Sequence, residues 1–137
     1  MNANPAPTAV QVVEDFFAAI GGADVDRAMK HLAPDVVWQN TGLPTLRGLP
    51  AVRRAFELAN RPTLRFGVEM QNIASEGETV LTERIDTMYA GPLRSRFWVC
   101  GTFELRDGRI VLWRDRFSWG NFAAGTVRAT ARSLLRR

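Results

Sequence analysis

Two segments of the sequence place charged side chains among apolar ones at a spacing typical of β-strands. Arg84 and Asp86 are two residues apart, so they point to the same face of a strand. Asp115 alternates with Trp113 and Phe117 on a later strand, which surrounds its carboxyl group with aromatic rings. Burying an aspartate is costly unless it is paired, and the planar fork of an arginine is suited to holding two carboxylates. The pattern therefore allows a hydrogen-bonded chain from Asp86 through Arg84 to Asp115.

Such a chain supports two interpretations. In the structural interpretation, the residues form a salt bridge or lie on a face that is simply exposed to solvent. In the catalytic interpretation, the two aspartates are an acid/base pair. Two neighbouring carboxyl groups in different surroundings titrate apart, which leaves one protonated donor and one ionised base at neutral pH. The pattern alone does not separate the structural from the catalytic interpretation.

The chain around these residues predicts helices first and strands afterwards. Thr8 suits the N-cap of the first helix, Gly21–Gly22 ends it because glycine tolerates the left-handed conformation, and Asp24 caps the second. The predicted helices are one from the Thr8 cap to Ile20, Val25–Leu32 and Ala51–Asn60. The predicted strands are Val36–Gln39, Leu64–Ile73, Thr79–Tyr89, Leu93–Leu105 and Arg109–Trp119, with a loop over 41–50. This order is typical of the α+β class, with helices packed on one face of an antiparallel sheet.

Alternation assigns one face of each of the last three strands to a common concave surface. These faces are Val80, Thr82, Arg84, Asp86 and Met88; then Leu93, Ser95, Phe97, Val99, Gly101, Phe103 and Leu105; then Arg109, Val111, Trp113, Asp115, Phe117 and Trp119. The short strand adds Trp38 and Asn40 on one face. If these faces line one surface, an apolar cup holds two carboxylates and one guanidinium near its floor.

Composition narrows the possible chemistry. The 137 residues, 46% hydrophobic and 23% charged, predict one globular domain. One histidine and one cysteine are too few for a protein-held zinc or iron centre, so we expect no metal and no metal-dependent step. His31 is expected to interact with the dipole at a helix C-terminus, and Cys100 to be a small buried apolar side chain.

Charge and hydropathy bear on location and partners. The chain has no run long enough for an integral membrane span and no secretory signal at its N-terminus, which favours a cytoplasmic protein. The net charge of +4 comes from four arginines in the last ten residues, so we expect a basic C-terminal helix over 121–137 and no nucleic-acid partner. Residues 1–7 are expected to be disordered, leaving a domain over 8–120.

Three segments resemble the active-site segments of one known family. Val80-Leu81-Thr82-Glu83-Arg84-Ile85-Asp86, Trp38-Gln39-Asn40 and Leu112-Trp113-Arg114-Asp115-Arg116-Phe117 are similar, in spelling and order, to those of the limonene-1,2-epoxide hydrolases. The stretch Phe97-Trp98-Val99-Cys100-Gly101, with Pro92-Leu93 before it, resembles the mycobacterial-type branch. The resemblance covers about residues 8–120. It implies a cystatin-like (NTF2-like) α+β cone that is usually a homodimer formed through the sheet.

The resemblance also implies a reaction. Asp86 would be the general acid on the epoxide oxygen, Asp115 the base that takes a proton from water, and Arg84 the bridge between them. Asn40 would hold the same water, and Trp38 stands where the family commonly has tyrosine. The product would be a vicinal diol, formed in one step with no covalent intermediate and no cofactor, a chemistry suited to detoxification. The residues expected to line the cavity for a lipophilic epoxide are Met88, Phe97, Val99, Phe117, Phe17 and Ile20.

Two alternatives stay open because one scaffold can host many functions. The first is a non-catalytic module that binds a lipid or polyketide. The second is an isomerase or cyclase that uses one aspartate as base. A pair of aspartates bridged by arginine favours hydrolysis, since isomerisation needs only one carboxylate and a hydroxyl donor.

Overall fold

The computed structural model describes residues 6–59, 64–125 and 135. Within these ranges, helices precede a run of long strands, as the sequence predicts. The elements are α1 (Ala9–Gly21), α2 (Val25–Met29), β1 (Leu32–Asn40), β2 (Leu46–Arg47), α3 (Leu49–Ala59), β3 (Leu64–Glu76), β4 (Thr79–Ala90), β5 (Leu93–Arg106) and β6 (Arg109–Arg116). The backbone is helical again over 119–125.

The strands form one curled sheet in the order β2-β1-β6-β5-β4-β3. All neighbours are antiparallel except β1 and β6, which run parallel. α1 packs on β3 and β4, and α3 packs on β1, so the helices cover one face of the sheet. The buried core between them includes Phe16, Val52 and Phe103. The predicted α+β class is confirmed.

The first helix begins as predicted and ends differently. Thr8 forms a complete capping box with Gln11, in which each side chain accepts a hydrogen bond from the other residue's backbone N–H. Gly22 closes the helix at φ −86°, outside the left-handed region. The left-handed residue is Ala23, at φ 57°, so the conformation expected of the glycine pair lies one residue later.

Several helix and strand boundaries differ from the predicted ones, because residues predicted to be helical or irregular pair with neighbouring strands. α2 stops at Met29 because Leu32 already pairs with Ile110 of β6. The predicted loop contains β2, which pairs with Val37 and Trp38 of β1. β6 ends at Arg116 rather than Trp119. The predicted end of α3, Asn60, lies outside the described residues.

A β-bulge makes the predicted face of β6 wrong in its first half. Leu105 pairs with Ile110 but Glu104 pairs with Leu112, so Val111 is the extra residue. Ile110 therefore faces the core, in place of Arg109 and Val111. The alternation is restored from Trp113 onward. On the predicted face of β4, Val80, Thr82 and Arg84 are buried, and Asp86 and Met88 are half-buried. The predicted face of β5 is buried except for Leu93, which is exposed.

Two expectations about the ends of the chain, disorder of residues 1–7 and a basic helix over 121–137, stay predictions. Most of the predicted tail helix and residues 1–5 lie outside the described residues, although the helical backbone over 119–125 overlaps the start of that tail. In the described part of the chain, no helix is both long and apolar enough to cross a membrane.

Candidate active site

The centre of the site is the guanidinium of Arg84 on β4. Its side chain is fully buried, at 0% exposure. The ring of Phe17, from α1, covers its face at 4.5 Å from the guanidinium carbon to the ring centroid. A cation over an aromatic face is stabilised by the ring's electron density. Helix α1 thus closes the space above the guanidinium.

Both predicted aspartates bind this guanidinium. Arg84 Nε and Nη2 donate to Asp86 Oδ1 and Oδ2 at 3.1 and 2.9 Å, and Nη1 and Nη2 donate to Asp115 Oδ1 and Oδ2 at 3.0 Å each. Arg84 and Asp86 are two residues apart on β4, whereas Asp115 is brought in by β6. The carboxylate side chains are 14% and 7% exposed, respectively. The structure therefore brings together the three charged residues that the sequence singled out.

Burial and the neighbouring opposite charges shift the pKa values of Asp115 and Arg84 in opposite directions. Burial raises the pKa of Asp115, the Arg84 cation lowers it in part, and the charge of Asp86 raises it further. Burial opposes the charge on Arg84, but the charges of Asp115 and Asp86 outweigh it and raise the pKa of the guanidinium. With Arg84 charged, two ionised carboxylates leave a net charge of minus one in the core, and one added proton makes the cluster neutral. Burial of an uncompensated charge is costly, so charge balance favours the neutral cluster.

The parallel pairing of β1 and β6 positions the two remaining predicted residues. Asn40 pairs with Asp115, and Trp38 pairs with Trp113. Trp38 stacks on Trp113 with the ring centroids 4.3 Å apart and an interplanar angle of 10°. Its Nε1 is buried and has no hydrogen-bond partner among the described residues. The residue that carries this unpaired donor contributes to the wall of the cavity described next.

A cavity of about 210 Å³ adjoins the cluster. Asp86, Asp115, Asn40 and Trp38 contribute to its wall. So do all six predicted apolar lining residues: Phe17, Ile20, Met88, Phe97, Val99 and Phe117. Arg84 does not line the cavity, because it lies behind the carboxylates.

Trp113 and Trp119, which alternation placed on the concave surface, also line this cavity. Seven further lining residues were not assigned to it from the sequence: Leu43, Ala55, Phe56, Ala59, Phe66, Val68 and Phe122. The inward side of α3 was visible in its helical periodicity, and alternation on β3 pairs Phe66 with Val68 on one face. Leu43 and Phe122 carried no such signal, because the first lies in a turn and the second follows a change from strand to helix.

His31 and Cys100 lie away from this cluster. His31 follows the end of α2, and burial lowers its pKa. Cys100 is partly exposed on the face of β5 opposite Val99, so the expected burial of its side chain is wrong. No group of three or more His, Cys, Asp or Glu side chains in the described ranges could hold a metal ion.

Comparison with known proteins adds independent evidence. The family model of the limonene-1,2-epoxide hydrolase catalytic domain matches residues 7–128. The chain is 42% identical over 118 residues to the epoxide hydrolase EphG of Mycobacterium tuberculosis (strain ATCC 25618 / H37Rv), covering 85% of this chain and 77% of that protein. The solved structure of an M. tuberculosis LEH-like epoxide hydrolase is 36% identical, with a TM-score of 0.88, covering 94% of this chain and 96% of that one.

A more distant likeness concerns the fold alone. An NTF2-like protein of unknown function from Burkholderia pseudomallei K96243 is 20% identical, with a TM-score of 0.74 over 86% of this chain and 96% of that one. The predicted NTF2-like cone is thereby confirmed. From the match to the family model and the identity to EphG, the chain belongs to the limonene-1,2-epoxide hydrolase family.

Proposed function

We propose that this protein is an epoxide hydrolase that adds water to a lipophilic epoxide and releases a vicinal diol. The observation that carries the proposal is the pair of aspartates, both bound to buried Arg84, at the wall of an apolar cavity. Family membership and the name of the M. tuberculosis relative support the same activity.

The proposed reaction is a single displacement. The oxygen of a water molecule attacks one epoxide carbon while the bond from that carbon to the epoxide oxygen breaks. Asp86 gives its proton to the departing oxygen, and Asp115 takes a proton from the attacking water. The product is a diol, and the pair is restored when the proton on Asp115 returns to Asp86. Each proton transfer is worth about 10²–10⁴-fold in rate.

The surroundings of Asp115 suit the role of base. A general base works best when its pKa lies near the operating pH. Burial raises the pKa of Asp115 from its usual acidic value, which moves it in that direction. Both carboxylates accept two hydrogen bonds from Arg84, so the contacts with Arg84 do not distinguish the two groups. The family resemblance is what assigns the acid role to Asp86.

The attacking water needs three contacts to fix its orientation. In the proposed arrangement it donates one hydrogen to Asp115 and one to the side-chain oxygen of Asn40. It accepts a hydrogen bond from Trp38 Nε1–H, because an indole donates and does not accept. One lone pair then remains to attack the epoxide. Trp38 would thus supply the contact for which the family commonly uses tyrosine.

The proposal is tested with a panel of lipophilic epoxides and two isosteric variants. Asp86→Asn and Asp115→Asn should each abolish diol formation while retaining the fold, which circular dichroism would verify. Asp107→Asn is the control, since Asp107 lies in an exposed hairpin turn at φ 53°, a conformation that asparagine tolerates. Full turnover by either cavity variant would refute the assigned roles.

A single turnover in ¹⁸O-labelled water tests the mechanism. Label in the first diol supports direct attack by water, whereas an unlabelled first product indicates a covalent ester. Binding of the epoxides without turnover would support a lipid- or polyketide-binding module instead. A rearranged product without added oxygen would support an isomerase or cyclase.

We further propose that the protein is a cytoplasmic homodimer formed through the outer face of the sheet. Leu81 and Trp98 lie on that face and are 55% and 42% exposed. Sedimentation equilibrium of the wild type and of Leu81→Arg tests the assembly, and a wild-type monomer would refute it.

A further inference from the structure

Gly101 lies on β5 directly between Asp115 of the site and Thr82 of the neighbouring strand. In the strand register it pairs with Thr82 of β4 on one side and with Asp115 of β6 on the other. The φ angle of Gly101 is not positive, so the backbone conformation there does not require glycine. The glycine at this position is therefore explained by the lack of room for a side chain.

The space above Gly101 is filled by the catalytic cluster. A Cβ at this position would lie 2.7 Å from Arg84 Nη1, 2.7 Å from Thr82 Oγ1 and 2.9 Å from Asp115 Oδ1. Arg84 Nη1 donates a hydrogen bond to Asp115 Oδ1 at 3.0 Å. A methyl group would therefore enter the contact between Arg84 and Asp115.

The guanidinium has no free direction in which to move. Phe17 of α1 covers its face, Asp86 holds its other edge, and its side chain is fully buried. The charged groups that act on Asp115 are Arg84 and Asp86. Helix α1 contributes an aromatic ring at this point, and β1 contributes neutral Asn40. A displaced guanidinium would therefore lengthen its hydrogen bonds to at least one carboxylate. In the part of the chain that the structure describes, no second cation acts on Asp115 to replace it.

We propose that Gly101 is a positioning residue for the hydrolysis proposed above, because its missing side chain lets Arg84 bridge both aspartates. The inference rests on that proposed function. Gly101 does not line the cavity, so substitution there should act on the chemical step more than on substrate binding. A displaced cation stabilises ionised Asp115 less, which raises the pH at which that group loses its proton.

Gly67 provides a matched control on β3. Like Gly101, it is a strand glycine without a positive φ. A Cβ there would meet the Tyr89 ring at 3.7 Å and Thr87 Cβ at 3.8 Å, both ordinary contact distances. Gly67→Ala therefore adds the same methyl group to the same sheet without entering the charged cluster.

The experiment compares kcat, KM and the pH–rate profile of the wild type, Gly101→Ala and Gly67→Ala. We expect Gly101→Ala to lower kcat by about 10- to 100-fold, since displacing a catalytic group by about 1 Å has effects of this size. We expect its KM to stay within about twofold, and the acidic limb of the kcat profile to move to higher pH. Gly67→Ala should match the wild type in all three. A Gly101→Ala enzyme with wild-type kcat and profile would overturn the proposal.

A second pair of variants covers the case in which Gly101→Ala does not fold. Thr82→Ala removes the hydroxyl that would lie 2.7 Å from the new Cβ. Adding Gly101→Ala to Thr82→Ala should lower kcat and shift the profile relative to Thr82→Ala alone. Equal kcat and profile in these two proteins would overturn the proposal.

A further measurement separates this inference from the proposed function. If the wild type hydrolyses no epoxide, the proposed function fails, but the pH dependence of unfolding still reports on the cluster. Gly101→Ala should then lose stability more steeply with rising pH than Gly67→Ala does. Parallel curves for the two variants would overturn the role of Gly101.

Discussion

Arg84 and Asp115 meet through two parallel hydrogen bonds, Nη1 to Oδ1 and Nη2 to Oδ2, each 3.0 Å long. This fork-to-fork contact joins β4 to β6 across β5. Because Arg84 also binds both oxygens of Asp86, one cation compensates two carboxylates in the interior. Charge-assisted bidentate contacts are the strongest hydrogen bonds that side chains make. The pair is thus central to both the stability and the proposed chemistry.

Removal of the cation should destabilise the fold. Arg84→Met leaves two largely buried carboxylates without a partner, so we expect a loss of about 3–5 kcal/mol in the free energy of unfolding at neutral pH. The loss should shrink at low pH, where the carboxyl groups become neutral. Urea unfolding at several pH values measures it. Arg106→Met is the control, since it breaks the exposed ion pair with Asp35, which water screens, and should change the free energy of unfolding little.

Asp115 should make the free energy of unfolding fall as the pH rises. Its folded-state pKa is raised above 3.8 by burial, so above pH 3.8 the folded state binds more protons than the unfolded state. Linkage then lowers stability with increasing pH until the folded-state carboxyl group has also ionised. The difference between the wild type and Asp115→Asn, measured by urea unfolding across this range, isolates the contribution. A difference of the opposite sign would contradict the raised pKa.

The indole N–H of Trp38 should contribute to the rate. Trp38→Phe keeps a ring that can stack on Trp113 but removes the unpartnered donor. Loss of one hydrogen bond to the attacking water corresponds to about 1 kcal/mol, or about fivefold in kcat. Steady-state kinetics measure it. In the control Trp98→Phe, the lost donor binds Glu83 on the outer face, and kcat should not change.

The cavity should set an upper limit on the size of the substrate. Ala55 of α3 lines the cavity, so Ala55→Phe fills part of its volume. We expect kcat/KM to fall by about tenfold or more for the bulkiest epoxides of the panel and less for the smallest. Leu58→Phe on the same helix is the control, because Leu58 is exposed to solvent. An equal loss for all epoxides would indicate a general distortion of the site.

Much of the site follows from local geometry that the sequence encodes directly. Alternation along a strand requires Arg84 and Asp86 to share a face, whatever the rest of the chain does. The same rule assigns Phe97 and Val99 to one side of β5 and Cys100 to the other. The capping box of Thr8 and Gln11 depends on residues only three apart. The spelling of the three segments that resemble the family's active-site segments was sufficient to indicate the family that the comparisons confirm.

The tertiary structure decided what depends on pairing between distant segments. Only the parallel insertion of β1 beside β6 brings Asn40 next to Asp115. Only the bulge at Val111 turns Ile110 toward the core, and only the helical turn after Arg116 brings Phe122 to the cavity. Alternation and capping act within a few residues and are visible in the sequence. Strand order and register depend on which distant faces bury the most apolar surface together, so they are settled when the whole chain packs.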